Sequence, residues 1–435
     1  MRQVTWETLS GSRKRKVLLR PAVAATRDLR RIVKQIAGNV RLRGDRALFE
    51  LTRQLDRVEL DRFEVTAEEK KDALARLPEG SWAALERAAS QIERFHSNCA
   101  PRAVKVEVSP GLICRREPKP ISRVGLYVPG GTAPLPSTVL MLGVPSRLAG
   151  CPVRIICSPP GRDGTINPLI LAAAELCGID RVFKVGGAQA VSAMAYGTES
   201  IPKVDKIFGP GNSWVTAAKS LVASDPRGAA IDMPAGPSEV MVIADRTARP
   251  EFVAADLLSQ AEHGPDSQVV VVSDDPELLE RTQEEIDKQL ARLPRREIAT
   301  AALFGSVAIL TRDLERAIDI ANDYAPEHLI LQVEEPEALA KRVLNAGSVF
   351  LGAWSPEAVG DYASGTNHVL PTYGYARSFG GVSVDSFVKH VTFQNLTPSA
   401  LVDIGPVTAT LAVLEGLDAH RYAVQVRLDA IKEGL

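Results

Sequence analysis

Arg123-Val124-Gly125-Leu126-Tyr127-Val128-Pro129-Gly130-Gly131 is the stretch on which the fold turns. Its apolar run is too short for a buried helix and is stopped by a proline and two glycines, so it reads as a strand ending in a turn. Apolar residues at helical spacing follow over 137–148, then a strand at 153–157 and a helix at 168–177. The strand 181–185 leads through Gly186-Gly187 into a helix that begins near Ala188. The strand 206–208 leads through Gly209-Pro210-Gly211-Asn212 into a helix over 213–223. Apolar strands alternating with helices predict an α/β fold: a parallel sheet joined by right-handed crossovers.

A second alternation lies downstream. Strands are expected at 240–244, 269–272, 306–310, 329–333 and 348–351, with helices over 251–262, 276–290, 314–324 and 336–344. Upstream, 26–39, 43–55 and 82–97 have helical periodicity, while 104–114 alternates as a strand and meets a linker marked by Pro118 and Pro120. Beyond Gly381 two helices are expected, over 408–417 and 421–431. The two α/β blocks leave a divergent duplication open.

Composition narrows the function classes. The 435 residues suggest roughly three domains. Lys+Arg total 52 against 53 Asp+Glu, and 45% of residues are hydrophobic, which excludes a strongly basic nucleic-acid binder, an acidic tail and a disordered chain. No run approaches the roughly 18 apolar residues of a membrane span. Met1 to Ser10 lacks the apolar core of a signal peptide, so a cytoplasmic location is expected. Five cysteines, with no CxxC pair, read as free thiols rather than a disulfide framework. Arg13-Lys14-Arg15-Lys16 reads as a solvated basic segment.

Six histidines can be weighed one by one. His96 and His390 lack ligand-type company and read as structural. Gln260 and His263 share one face at the end of a helix that Gly264-Pro265 stops. Asp361 opens a polar loop running to His368, and Glu415 and His420 flank Gly416 between the last two helices. One amide oxygen, two imidazoles and one carboxylate suit zinc or manganese, though no signature of the HExxH kind ties them together. Glu327-His328 lies where a helix gives way to a strand and offers two groups for proton transfer near neutral pH. The glycine turns could face phosphates, yet none is a full GxGxxG and there is no Walker A motif.

Taken in order, these motifs resemble one family, histidinol dehydrogenase. The resemblance rests on Gly125 to Gly131, Val185 to Ala190, Phe208 to Asn212 and Asp232 to Glu239, then Leu258 to Gly264, Ala325 to Leu329 and Ser364 to His368, and covers essentially the whole chain. It implies a zinc- and NAD-dependent oxidation of L-histidinol to L-histidine through the aldehyde, with one zinc ion per subunit. Gln260, His263, Asp361 and His420 match the zinc ligands, and Glu327 and His328 the catalytic pair. Ser238, Gln260, His263, His328, Asp361, Glu415 and His420 match the substrate shell, and Tyr127, Gln189 and Asn212 the NAD positions. The implied architecture is two incomplete Rossmann-like α/β domains with parallel sheets, a helical N-terminal segment and a helical C-terminal dimerisation arm. Its boundaries would be 1–25 for the N-terminal segment and 26–126 with 240–381 for a discontinuous main domain. The NAD-binding domain would span 127–239 and the arm 382–435. A homodimer with shared active sites is implied, with L-histidinol as the small-molecule partner and neither nucleic acid nor membrane. A dehydrogenase of another small polar alcohol, or a zinc hydrolase using Glu327 to activate water, remain as alternatives.

Overall fold

The computed structural model describes residues 1–20, 27–130, 134–234 and 236–434. Thr26, where the first helix was expected to begin, and Gly131 and Ala235 of the quoted motifs lie outside the described residues. The strands in chain order are β1 (Arg2–Thr5), β2 (Val104–Ser109), β3 (Leu112–Pro120), β4 (Arg123–Tyr127) and β5 (Val153–Ser158). They continue with β6 (Arg181–Lys184), β7 (Lys206–Phe208), β8 (Ala230–Ile231), β9 (Glu239–Ala244) and β10 (Gln268–Ser273). The last are β11 (Val307–Leu310), β12 (His328–Gln332), β13 (Ser348–Leu351) and β14 (Val388–Leu396).

The chain forms two units: Met1–Cys99 with Ile121–Phe387, and Ala100–Pro120 with Val388–Leu435. The first unit contains two parallel sheets, in the orders β6-β5-β4-β7-β8 and β1-β11-β10-β9-β12-β13. Counting strands as they appear along the chain, both sheets read 3-2-1-4-5, with β1 added beside β11. This is the Rossmann order without its sixth strand. Every residue of β9 and β10 is buried, as a parallel sheet covered by helices on both faces requires. Val240, Val242, Val269 and Val271 pack with Leu257 on one face, while Met241, Ile243, Val270 and Val272 pack with Trp6 and Tyr324 on the other.

Several elements differ from the sequence reading. The N-terminal segment carries a helix, Gly11–Val17, but opens with β1, whose partner β11 is remote in sequence. The two expected helices at 26–39 and 43–55 form one element, Arg27–Leu51, broken at Gly44, whose φ of 51° no helix interior adopts. A helix not foreseen, Arg296–Phe304, precedes β11, and Asp361 lies within a short helix, Glu357–Tyr362, rather than opening a loop.

The second unit holds the antiparallel sheet β14-β3-β2 and the helices Pro398–Leu414 and Asp418–Lys432. The arm is therefore partly strand. The segment read as a strand and linker is a hairpin, turned at Gly111 with φ of +76°. Pro118 and Pro120 are tolerated because β2 pairs only with 112–116, leaving their side of β3 as an edge. Gly405 lets the two helices approach, since a Cβ there would sit 3.2 Å from Leu428 and Val424.

Candidate functional site

His328 begins β12, and alternation puts it on the same face as Ile330 and Gln332, toward the helix Pro250–Ala261. Gln260, in the last turn of that helix, is fully buried, with Oε1 3.0 Å from His328 Nδ1. The Glu239 carbonyl lies 3.2 Å from the same nitrogen. Both neighbours are acceptors, so Nδ1 carries the proton and Nε2 keeps its lone pair. Nε2 has no hydrogen-bond partner and stands 3.6 Å from Asp361 Oδ1. Glu327 packs behind the ring, its Oε2 accepting the Glu239 N–H at 2.8 Å. The approach is held by Ala325, a non-glycine residue at φ +54°, which ends the preceding helix, Leu314–Tyr324.

This is a buried, acid-rich cluster. Burial drives the His328 imidazole down to about 3, reinforced by the nearby His263 and His368. Burial raises Asp361 to about 7 and pushes Glu327 and Glu357 well above the carboxylate range, with neighbouring carboxylates adding to the rise of both glutamates. His263 keeps solvent exposure, yet crowding and the Arg295 charge lower its pKa. Among the described residues, ligand atoms of His328, Glu357 and Asp361 lie within 4.8 Å of one another. With small adjustment the two carboxylates could meet one ion at bonds of roughly 2.0–2.2 Å. Glu357 Oε2 is buried without a partner among acids that repel one another, so these carboxylates fit a divalent cation, with His328 Nε2 left as an unpaired base.

The remaining expected residues fall in three places. Ser238, half-buried, immediately precedes β9, and its carbonyl accepts the Gln268 N–H. Glu415 and His420 are exposed on the second unit, at the end of Pro398–Leu414 and in the first turn of Asp418–Lys432. Tyr127, Gln189 and Asn212 gather at the carboxyl ends of the five-stranded sheet. Tyr127 closes β4 and its hydroxyl accepts the Gly187 N–H at 3.1 Å. Gln189 is buried in the helix Gly187–Tyr196. Asn212 caps the helix Ser213–Ala223 through Oδ1, which leaves its amide N–H groups for a ligand. The turn between β7 and that helix comes close to β4: a Cβ on Gly209, at φ +118°, would sit 2.1 Å from the Tyr127 carbonyl. A backbone cradle at the switch between β4 and β7 fits a dinucleotide.

Sequence reading missed Glu357, Glu239 and Arg20. Glu357, 1% exposed, has Oε1 3.4 Å from His328 Nδ1. Its spacing to Asp361 puts two carboxylates on one helical face, a signal that was present. The buried Glu239 carboxylate is held by the Arg20 guanidinium, which also donates to the Tyr324 and Ala325 carbonyls at 2.8 and 3.2 Å. His368 was placed in a polar loop; its Nδ1 meets the Asp361 carbonyl at 2.8 Å. His96 is buried, in keeping with the structural reading, and His390 is exposed.

The family model described as histidinol dehydrogenase matches residues 19–428. Histidinol dehydrogenase of Vibrio cholerae is 52% identical over 433 residues, covering 100% of each chain. That of Photobacterium profundum is 50% identical over 433 residues, covering 100% of this chain and 97% of its own. The crystal structure of histidinol dehydrogenase from Elizabethkingia anophelis superposes with a TM-score of 0.95 at 47% identity, covering 99% of both chains.

Proposed function

The chain belongs to the histidinol dehydrogenase family and is an oxidoreductase; on that premise we propose that it converts L-histidinol to L-histidine through L-histidinaldehyde by two hydride transfers to NAD at a zinc site. The observation that carries this reading is the buried, neutral His328, whose Nδ1 faces acceptors while Nε2 is without a partner. That nitrogen accepts the alcohol proton as hydride leaves the carbinol carbon. Glu327, a buried carboxyl of raised basicity, assists addition of water to the aldehyde. His328 then takes the proton of the hydrate in the second oxidation.

Gln260, His263, Asp361 and His420 are assigned as zinc ligands, and Ser238 and Glu415 join them and His328 around the substrate. Tyr127, Gln189 and Asn212 are assigned to NAD, within a binding domain over 127–239. When bound, zinc supplies an anchor for the substrate's imidazole and amine, and NAD supplies the hydride acceptor. Holding the aldehyde between the two steps protects it from escape. Glu415 and His420 are assigned across a homodimer, a reading supported by the exposed Leu411, Leu414, Leu417 and Tyr422 beside them. Light scattering that returns a monomer mass would remove that assignment. A cytoplasmic location accords with the free, buried thiols of Cys151, Cys157 and Cys177.

Chelation coupled to NADH absorbance tests the whole reading. The chelated protein should lose histidinol oxidation, Zn²⁺ should restore it, and other small polar alcohols should be poor substrates. Full turnover by metal-free protein would defeat the zinc assignment, and hydrolysis without NADH formation would defeat the oxidoreductive mechanism.

A further inference from the structure

Asp56 lies apart from the cluster around His328. It ends the tight turn Thr52–Asp56 that closes the helix Arg27–Leu51. From there the chain runs beside the outer edge of the five-stranded sheet: Lys184 N–H donates to the Phe63 carbonyl and Val65 N–H to that of Val182. Leu60 and Val58 lie against Gly164, in the segment after β5. This path brings the Asp56 carboxylate to the carboxyl end of β6, where Oδ2 accepts a hydrogen bond from Gln189 Nε2 at 3.4 Å. Among the described residues no Lys, Arg or His forms an ion pair with it, and burial raises its pKa to about 6.

Its neighbour Arg57, at φ +58°, is the left-handed residue that ends the turn. A further observation singles Asp56 out, an absence in the strand order. In a Rossmann sheet an acidic residue beyond the second strand receives the adenine-side ribose. Here β5 ends at Ser158 and continues Pro159-Pro160-Gly161, and the next acid, Asp163, is engaged by the Thr165 N–H and hydroxyl.

We propose that Asp56 takes that role from outside the sheet, accepting hydrogen bonds from the vicinal hydroxyls of the adenine-side ribose and selecting NAD over its 2′-phosphorylated counterpart. The inference rests on the NAD reading above. A hydroxyl donates to the carboxylate and needs no cation. A 2′-phosphate would set a charge of about −2 against an acid with no described cation to offset it.

Calorimetric titration of wild type, Asp56→Asn and Asp56→Ser with NAD and NADP, without substrate, tests this, with zinc content and thermal midpoint measured on each sample. Both variants should bind NAD about ten- to a hundredfold more weakly and NADP no more weakly than wild type, at unchanged zinc content. An NAD analogue lacking the adenosine 2′-hydroxyl should lose affinity for wild type but little for Asp56→Asn. Equal losses for NAD and NADP, or unchanged NAD affinity, would overturn the assignment while leaving the NAD reading intact. Wild type that binds neither dinucleotide would end both. Should the variants melt early, wild type alone decides: full affinity for the 2′-deoxy analogue overturns the proposal, and a loss supports it.

Discussion

In the five-stranded sheet the residues proposed for NAD follow the carboxyl ends of β4, β6 and β7, whereas in the six-stranded sheet Glu239 and His328 are the first residues of β9 and β12. The strand order is the same in both. The ends differ in electrostatics, because crossover helices run back against their strands. Carboxyl ends of strands therefore meet helix N-termini, with partial positive charge, and amino ends meet helix C-termini, with partial negative charge. Gly187–Tyr196 and Ser213–Ala223 begin at the first kind of end, which suits a phosphate. Gln260 closes Pro250–Ala261 at the second kind, and Arg20 already binds the terminal carbonyls of Leu314–Tyr324 there. One topology thus favours an anion at one end and a cation at the other, which is how the proposed NAD and zinc sites divide.

The largest effect expected on this contrast is at the amino end. His328→Ala should lower turnover by roughly 10²–10⁴-fold in both half-reactions, the ordinary worth of a general base. Glu327→Gln should slow oxidation of supplied aldehyde more than oxidation of the alcohol; equal losses in the two assays would contradict the division of labour. At the carboxyl end, Gly209→Ala places a Cβ against the Tyr127 carbonyl at a backbone angle only glycine holds easily. NAD affinity should fall at least about tenfold, and stability by about 1–3 kcal/mol, while zinc content stays put. If that variant bound NAD normally and lost zinc, the two ends would be wrongly assigned.

The smallest effect expected lies away from both ends. His96 is 1% exposed, both ring nitrogens lack partners, and burial lowers its pKa to about 4. The unfolded chain takes up a proton near pH 6.5 that the folded chain refuses until about 4, so stability falls as pH drops through that window. At pH 5 the cost is about 2 kcal/mol relative to pH 7. His96→Leu should flatten that part of the acid dependence in urea melts at the two pH values; an unchanged slope would show that His96 does not govern it.

Much of this was legible in the sequence because its signals are local. Parallel strands are short apolar runs, and turns that need glycine announce themselves, so the strand at 348–351 and the helix at 276–290 coincide with β13 and Pro276–Leu290. Resemblance supplied the candidate ligands, and the structure brings Gln260, His328, Glu327 and Asp361 together. The elements missed depend on partners far along the chain. Gln3-Val4-Thr5 becomes a strand by lying beside Ala308 to Leu310, and 388–396 by lying beside β3. The spacing of Glu357 to Asp361 was legible, but only packing seals its carboxylate against His328. Sequence alone determined the central strands and helices of both α/β blocks and which residue types could do the chemistry, because periodicity and turn chemistry act between near neighbours. Tertiary structure alone decided at which end of each sheet the candidate residues gather, which acids are buried and which imidazole nitrogen is without a partner. Those properties come from the register and direction of strands distant in sequence, and from the low dielectric that their packing creates.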